Sequence, residues 1–485
     1  MGISVGIDFG TTSSSAVIFV DDKQFNCGDS EGFPIPSIVA IDKETGDVYT
    51  GREAWEKKSS LQESCECISS IKSILEKDFC MEIAGKQWTS LDIVTEIFHT
   101  LKIRIEQFNP DIKEVTLAIP VGFSAGKRKK LRIAAQNAGL SIKTFVTEPT
   151  AAFFANYDAL KNDSIIAVFD WGGGTQDVTI LKHADGRVVE LASAGNNRAG
   201  DEIDECLARR MHAKFARKKD KSIAFEDMSS NARDLLLVNC EAAKRNLSDD
   251  DTVTINIPRY GELGVCRDAL EYEWFCDIIK ENIENAIACF EKAVEESGVG
   301  ISNIDKILMV GGSTNLRPLE ERMCELYGED KVYYPETDTM WNISTGAAIL
   351  DSLSGGYHSS QSVGIVLSDN TYYELLPKDT NLNGWRTEAY FGIVDTTGQA
   401  RFVFGGSRDI EKAPDRFKTL EVPSYSFLEE KIKLEAEVDR DMIFRITAKS
   451  NMRTDKQRTV WEYPKLKCYY KLTREIEGLS KDDMK

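Results

Sequence analysis

The chain has 485 residues, a formal net charge of −19, 42% hydrophobic and 29% charged residues. That balance belongs to a globular protein of two or three domains and excludes a largely disordered one. The acidity disfavours nonspecific binding to nucleic acid or to an anionic membrane surface, but it leaves room for a local anion site built from backbone amides and a few lysines. Eleven cysteines form no paired framework, and Cys65-x-Cys67 lacks zinc spacing. No apolar run reaches membrane-spanning length, and the N-terminus opens straight into a strand, without the pattern of a signal peptide or a lipid anchor. The expectation is a reducing cytoplasm, with no nucleic-acid or membrane partner.

In chain order, Ser4-Val5-Gly6-Ile7-Asp8 reads as an apolar strand ending on Asp. The turn Phe9-Gly10-Thr11-Thr12-Ser13 and a second strand, Ala16-Val17-Ile18-Phe19-Val20, follow it. Helical spacing marks 91–108, a buried-type strand 115–120, and a basic amphipathic helix 127–138. The opening pattern then returns. An apolar strand over 165–169 ends on Asp170, the turn Trp171-Gly172-Gly173-Gly174-Thr175 follows, and Asp177-Val178-Thr179-Ile180-Leu181 is the next strand. Long helices are predicted over 230–247 and 274–297, and another buried strand over 306–312. A repeated strand–turn–strand unit with helices between predicts two duplicated α/β halves facing each other. Near residue 352 the texture changes to a linker-like stretch, Ser354-Gly355-Gly356-Tyr357-His358-Ser359-Ser360. Beyond it the period becomes two, as in Lys431-Ile432-Lys433-Leu434-Glu435-Ala436-Glu437-Val438, with further strands at 442–448 and 465–472, which predicts an antiparallel β-sandwich.

The two glycine turns carry the chemistry. Glycines let backbone N–H groups approach phosphate oxygens, and threonine hydroxyls add donors. An Asp at each strand end offers a carboxylate to hydrated Mg²⁺, which keeps much of its water shell. A single turn of this kind is as well explained by sterics; two in matching places of a repeat favour phosphate binding.

These residues resemble the nucleotide-binding domain of the seventy-kilodalton heat-shock chaperones. The motifs are Asp8-Phe9-Gly10-Thr11-Thr12-Ser13, Thr147-Glu148-Pro149-Thr150-Ala151-Ala152, Phe169-Asp170-Trp171-Gly172-Gly173-Gly174-Thr175, Cys240-Glu241-Ala242-Ala243-Lys244-Arg245-Asn246-Leu247-Ser248 and Val310-Gly311-Gly312-Ser313-Thr314. The resemblance implies an actin-like ATPase domain of two halves over 1–352, a linker over 353–361, a β-sandwich peptide-binding domain over 362–475, and a tail over 476–485 like the start of a lid helix. It implies ATP or ADP with Mg²⁺ as ligands, with Gly10, Thr11, Thr12, Ser13, Gly172, Gly173, Gly174 and Thr175 around the phosphates. Asp8 and Asp170 would face the metal through water, Lys72 matches the catalytic lysine, and Glu148, Asp170 and Thr175 complete the hydrolytic set. Alone, Lys72 reads as a solvated surface lysine; the resemblance promotes it.

Glu241, Lys244, Arg245 and Ser248 fall at i, i+3, i+4 and i+7, one helix face. Their plain reading is an exposed ion pair; the resemblance makes them an adenosine surface, opposite Gly311, Gly312 and Ser313. Asn315 stands where many members stack an arginine on adenine, and Arg317 is the candidate to replace it. Carried across in the same way, Ile365, Tyr390, Ala400 and Phe402 line a peptide pocket, with Ser368 and Ile393 at its arch; the plain reading is ordinary sandwich core.

Three departures stand out. The leucine run of the family's linker is replaced by Leu353-Ser354-Gly355-Gly356-Tyr357, which predicts a flexible linker without a docking surface. A basic residue that receives J-domain partners corresponds to Thr144, although Pro120 and Arg128 of the coupling route are kept. The helical lid is missing after Gly478-Leu479-Ser480-Lys481-Asp482-Asp483-Met484: either the protein lacks it or the chain is cut there. The resemblance thus implies a lidless ATP-dependent chaperone for extended polypeptides, a slow ATPase with J-domain and exchange-factor partners. The alternative is a nucleotide-gated, exchange-factor-like binding protein with little turnover. A sugar kinase of the same superfamily fits less well, because the β-module is unlike a sugar-binding insertion.

Overall fold

The computed structural model describes residues 2–21, 23–58, 64–75, 79–336, 339–353, 355–393, 398–405, 418–425, 429–452, 459–463 and 466–471. Two larger sheets organise the first two thirds of the chain. In the first, the strands run in the order Ser141–Thr147, Glu114–Ile119, Ser4–Phe9, Ser13–Val20, Lys23–Cys27. The strand Ser4–Phe9 pairs parallel with Glu114–Ile119 and antiparallel with Ser13–Val20. In the second, the order is Val332–Tyr333, Lys306–Val310, Ile165–Trp171, Gln176–Ala184, Arg187–Asn196, and the strand Ile165–Trp171 again pairs parallel on one side and antiparallel on the other.

These strands read as near-continuous apolar runs because both faces are covered. Ala167 and Phe169 join the core under the long helices Gly200–Lys218, Ser230–Asn246 and Tyr272–Ser297. Their neighbours Ile166 and Val168 point the other way, into a cluster with Ala152, Phe154, Ile343 and Ala347. In the first sheet Val5, Ile7 and Phe9 pack on the helices Ser90–Glu106 and Ala125–Asn137. The first of those helices begins at a full capping box between Thr89 and Asp92, and the second at Ser124, whose hydroxyl accepts from the Lys127 amide. The helices Glu148–Ala155 and Asn342–Ser352 cross in close contact, so close that a Cβ on Gly346 would fall 1.7 Å from the Ala151 carbonyl oxygen. No larger residue fits that crossing.

The C-terminal third forms two four-stranded antiparallel sheets. One is ordered Tyr372–Leu376, Val363–Val366, Gln399–Gly405, Lys418–Pro423; the other Arg386–Gly392, Lys431–Val438, Phe444–Ser450, Thr459–Tyr463. The strict alternation over 431–438 appears as alternating burial, with Ile432, Leu434, Ala436 and Val438 inside. Side chains of both sheets share a single apolar cluster that continues into Phe154 and Val188 of the first two thirds of the chain.

The stretch expected to run as a flexible linker departs from that expectation. Gly356–Ser359 is a strand, paired antiparallel with Cys468–Lys471, and that strand pairs in turn with Arg187–Asn196 at the edge of the second sheet. Backbone pairing replaces the leucine side chains sought in the sequence. The strand read over 465–472 therefore extends this sheet instead of the C-terminal pair. The lid-like residues 476–485, with Ser480 and Asp483, lie outside the described residues.

Candidate functional site

The two glycine turns meet face to face. A Cβ on Gly173 would lie 2.5 Å from Thr12 Oγ1, and one on Gly174 would lie 2.8 Å from Thr11 Cγ2. The contact therefore requires glycine at both positions, and it brings Gly10, Thr11 and Thr12 together with Gly172, Gly173 and Gly174. Within the second turn the Gly172 amide donates to Thr175 O at 3.0 Å. The Gly172 carbonyl accepts from Ser313 Oγ at 2.7 Å and from the Gly200 amide at 3.1 Å, and Gly173 O accepts from the Asp201 amide at 2.7 Å. Thr12 Oγ1 donates to Asp201 Oδ2 at 3.3 Å, linking the two turns. Thr12 and Ser13 are exposed, and Thr11 and Thr175 are half-buried.

Lys72 is not a solvated lysine. It sits on the short helix Ile71–Ile74, and its Nζ donates to Glu148 Oε1 at 2.7 Å, with side-chain exposures of 12% and 8%. Glu148 opens the helix Glu148–Ala155 directly after the strand Ser141–Thr147. Burial works against the Lys72 ammonium, yet the charges of Glu148, Asp8 and Asp177 outweigh it and raise its pKa above the ordinary lysine value. The opposing carboxyls are pushed up. Asp8 rises to about 7 through burial and then repulsion from Glu148, with Lys72 pulling back. Asp170 rises well above the usual carboxyl range through burial and the Glu148, Asp177 and Asp8 charges.

Asp177 was missed in the sequence and belongs here. It is the cross-strand partner of Asp170, burial and Glu148 raise its pKa to about 6, and it lines a small cavity with Pro120, Glu148 and Asp170. In the first hairpin the same place is held by Ser15, opposite Asp8. The register itself was the available signal: an acid at the start of the strand after a glycine turn faces the acid before it. Among the described residues no three acidic, His or Cys side chains converge in metal-ligand geometry.

Along the third wall the helix Ser230–Asn246 presents its last turns. Glu241 and Arg245 form an exposed i, i+4 pair at 2.8 Å. Lys244 is buried instead, donating to Asp204 Oδ2 at 2.7 Å and to Gly200 O at 3.1 Å. Asp204 is raised to about 7 by burial, with Lys244 lowering it in opposition. Lys244 thus fixes the start of the helix Gly200–Lys218 beside the second turn; a Cβ on Gly200 would touch both Ser313 Oγ and Lys244 Nζ. Ser248 lies half-buried just past the helix end. Across from it Gly311, Gly312 and Ser313 follow the strand Lys306–Val310, and Asn315 Nδ2 donates to Thr339 Oγ1 at 2.9 Å. Arg317, the candidate adenine-stacking residue, is engaged elsewhere: its guanidinium lies 3.4 Å over the Tyr272 ring and donates to Asp251 Oδ1 at 3.0 Å.

Of the residues assigned to a peptide pocket, Ile365, Ile393 and Phe402 are buried at 1%, 8% and 5% exposure and share one apolar cluster, with Ala400 packed against it. Tyr390 is 57% exposed and Ser368 is exposed. The structure therefore brings four of the six together and leaves two at the surface.

All eleven cysteines are free, and among the described residues no helix is long and apolar enough to cross a membrane. A family model described as Hsp70 protein matches residues 61–484. Members of that family are chaperones with an actin-like ATPase fold; they bind ATP and ADP with Mg²⁺, unfolded clients and co-chaperones. With the match covering most of its length, the chain belongs to the Hsp70 family.

Proposed function

We propose that this chain hydrolyses ATP slowly and binds extended, unfolded polypeptide segments under nucleotide control. The observation that carries the reading is the buried Lys72–Glu148 pair among Asp8, Asp170 and Asp177, beneath two touching glycine turns. Phosphoryl transfer to water asks mainly for positioning and charge neutralisation. Lys72 neutralises charge that builds on the transferred phosphoryl group. Glu148 and Asp170 orient the attacking water, and Asp177, whose pKa of about 6 lies near neutrality, is placed to accept its proton. Thr11, Thr12, Thr175 and the amides of 172–174 hold phosphate oxygens. Asp8 and Asp170 would hold Mg²⁺ through water, and the metal supplies charge neutralisation on the phosphates when bound. Glu241, Arg245, Ser248, Gly311, Gly312, Ser313 and Asn315 form the adenosine walls, and Lys244 acts behind them by holding Asp204 and Gly200.

The architecture in this reading is two duplicated halves over 1–352 and a β-sandwich over 362–475, joined by 353–361. The common strand pairing of the two larger sheets supports the duplication, and the apolar cluster shared by the two four-stranded sheets supports the sandwich. Peptide would be held by Ile365, Tyr390, Ala400 and Phe402, with Ser368 and Ile393 above it. The free cysteines suit a reducing cytoplasm. J-domain proteins and exchange factors are the expected partners. The test is single-turnover ATP hydrolysis with and without an apolar peptide. Hydrolysis that responds to peptide supports the whole reading. ATP binding without turnover would favour a nucleotide-gated, exchange-factor-like role, which the incorporation of 356–359 into the sheet also suits.

A further inference from the structure

A second buried polar cluster lies one residue away from Glu148. The Thr147 amide, at the junction of the strand Ser141–Thr147 and the helix Glu148–Ala155, donates to Tyr357 Oη at 2.9 Å. The Thr147 hydroxyl donates to Glu190 Oε1, and Thr150 Oγ1 lies 2.8 Å from Thr147 Oγ1 and 3.3 Å from the same carboxylate oxygen. Tyr357 reaches this place because its strand, Gly356–Ser359, is paired into the second sheet. Its ring is 9% exposed and packs edge-on against Tyr470 at 5.3 Å, which in turn packs on Phe154 at 5.3 Å. Burial and the nearby Glu190 charge push the phenol well above the usual tyrosine pKa, so it remains a neutral hydroxyl able to accept from the amide. A phenylalanine would satisfy the packing; the hydroxyl is the part that packing does not explain.

We propose that Tyr357 is a positioning residue for Glu148: its hydroxyl holds the Thr147 amide, fixing the strand-to-helix junction and hence the direction from which the Glu148 carboxylate meets Lys72. The inference rests on the reading of Lys72 and Glu148 as the hydrolytic pair. In this arrangement the segment that leads out of the ATPase region reports its own docking to the reaction through one hydrogen bond. Glu190, from the strand Arg187–Asn196, holds the other side of the same junction through Thr147 and Thr150. Sliding of Gly356–Ser359 along Cys468–Lys471 would leave a buried amide without its acceptor, and the junction would turn to find another.

The experiment measures single-turnover ATP hydrolysis, ATP affinity and melting temperature in the full chain for Tyr357→Phe, Tyr470→Phe and Lys72→Ala. Tyr357→Phe should slow hydrolysis about fivefold to tenfold, the range expected for one lost hydrogen bond, while ATP affinity stays within about twofold. Tyr470→Phe, which removes the neighbouring hydroxyl, should leave the rate unchanged. A Tyr357→Phe protein that hydrolyses at the wild-type rate while Lys72→Ala is inactive would overturn the positioning role and leave the hydrolytic pair standing. Parallel losses of rate, ATP affinity and melting temperature would assign Tyr357 to packing and overturn it equally. Wild-type hydrolysis by Lys72→Ala would instead remove the hydrolytic pair, and the inference with it.

Discussion

At Asp8 a buried carboxyl has Glu148 for a neighbour and only Lys72 to offset it, and the consequence is a pH-dependent stability of uncommon sign. The folded pKa, about 7, lies above the ordinary 3.8, so the folded protein keeps a proton that the unfolded chain has released. Stability from this group is complete below about pH 4 and is lost as the pH rises through about 7. Asp177 acts in the same sense, through about 6. The nucleotide-free protein should therefore melt at progressively lower temperature between about pH 4 and 7, and Asp8→Asn should flatten that slope. Calorimetric scans across this range check it; a melting temperature that climbs with pH would contradict the burial of these charges. The sequence placed Asp8, Lys72, Glu148 and Asp170 by resemblance, and the structure gathers them. It did not place Asp177, because a lone Asp at a strand start looks like turn punctuation until the hairpin register sets it opposite Asp170. Nor did it separate Lys244 from Arg245: both carry the same charge on the same helix, and only packing sends one inward to Asp204.

Among the elements, the helices read over 91–108, 127–138, 230–247 and 274–297 and the two glycine hairpins were legible from their strong local period, whereas the helices Gly200–Lys218, Arg317–Tyr327 and Asn342–Ser352 were not read. The boundaries fall within a few residues of expectation; the helix read over 230–247, for instance, spans Ser230–Asn246. The strand Gly356–Ser359 was not legible. It is four residues long, glycine begins it, and its partner Cys468–Lys471 comes from the far end of the chain. Pairing across such a distance in sequence leaves no local period to read. Helix Ser230–Asn246 carries its own prediction. Its Arg245 is exposed and, among the described residues, pairs with Glu241, so removing it should cost the fold little. If Arg245 faces the base, Arg245→Ala should weaken ATP and ADP alike by roughly tenfold, about 1.4 kcal/mol. Titration calorimetry measures both; unchanged affinities would return this pair to ordinary surface chemistry.

Across the whole molecule, the turn between Lys431–Val438 and Phe444–Ser450 docks on the helix Ala125–Asn137. Arg128 Nε donates to Asp441 O at 2.7 Å and Arg132 Nε to Asp441 Oδ1 at 2.7 Å. Both side chains of the Arg132–Asp441 pair are largely buried, at 12% and 15% exposure. The C-terminal sheets are thus joined to the first two thirds of the chain by this ion pair, by the paired strands at the sheet edge and by a continuous apolar cluster. The leucine-poor linker alone predicted a flexible connection without a docking surface; these contacts offer coupling a different route. A double-mutant cycle on Arg132 and Asp441 should return an interaction energy of about 1–3 kcal/mol, as for residues in direct contact. Asp441→Arg should also reduce whatever acceleration ATP gives to peptide dissociation, followed by fluorescence in ATP and in ADP. Acceleration untouched by that change would move the coupling to the strand Gly356–Ser359. All of this presupposes a working ATPase, and Lys72→Ala tests that most directly. ATP should still bind the mutant with nearly wild-type affinity, while single-turnover hydrolysis falls by about 100-fold or more. Hydrolysis at the wild-type rate would contradict the account.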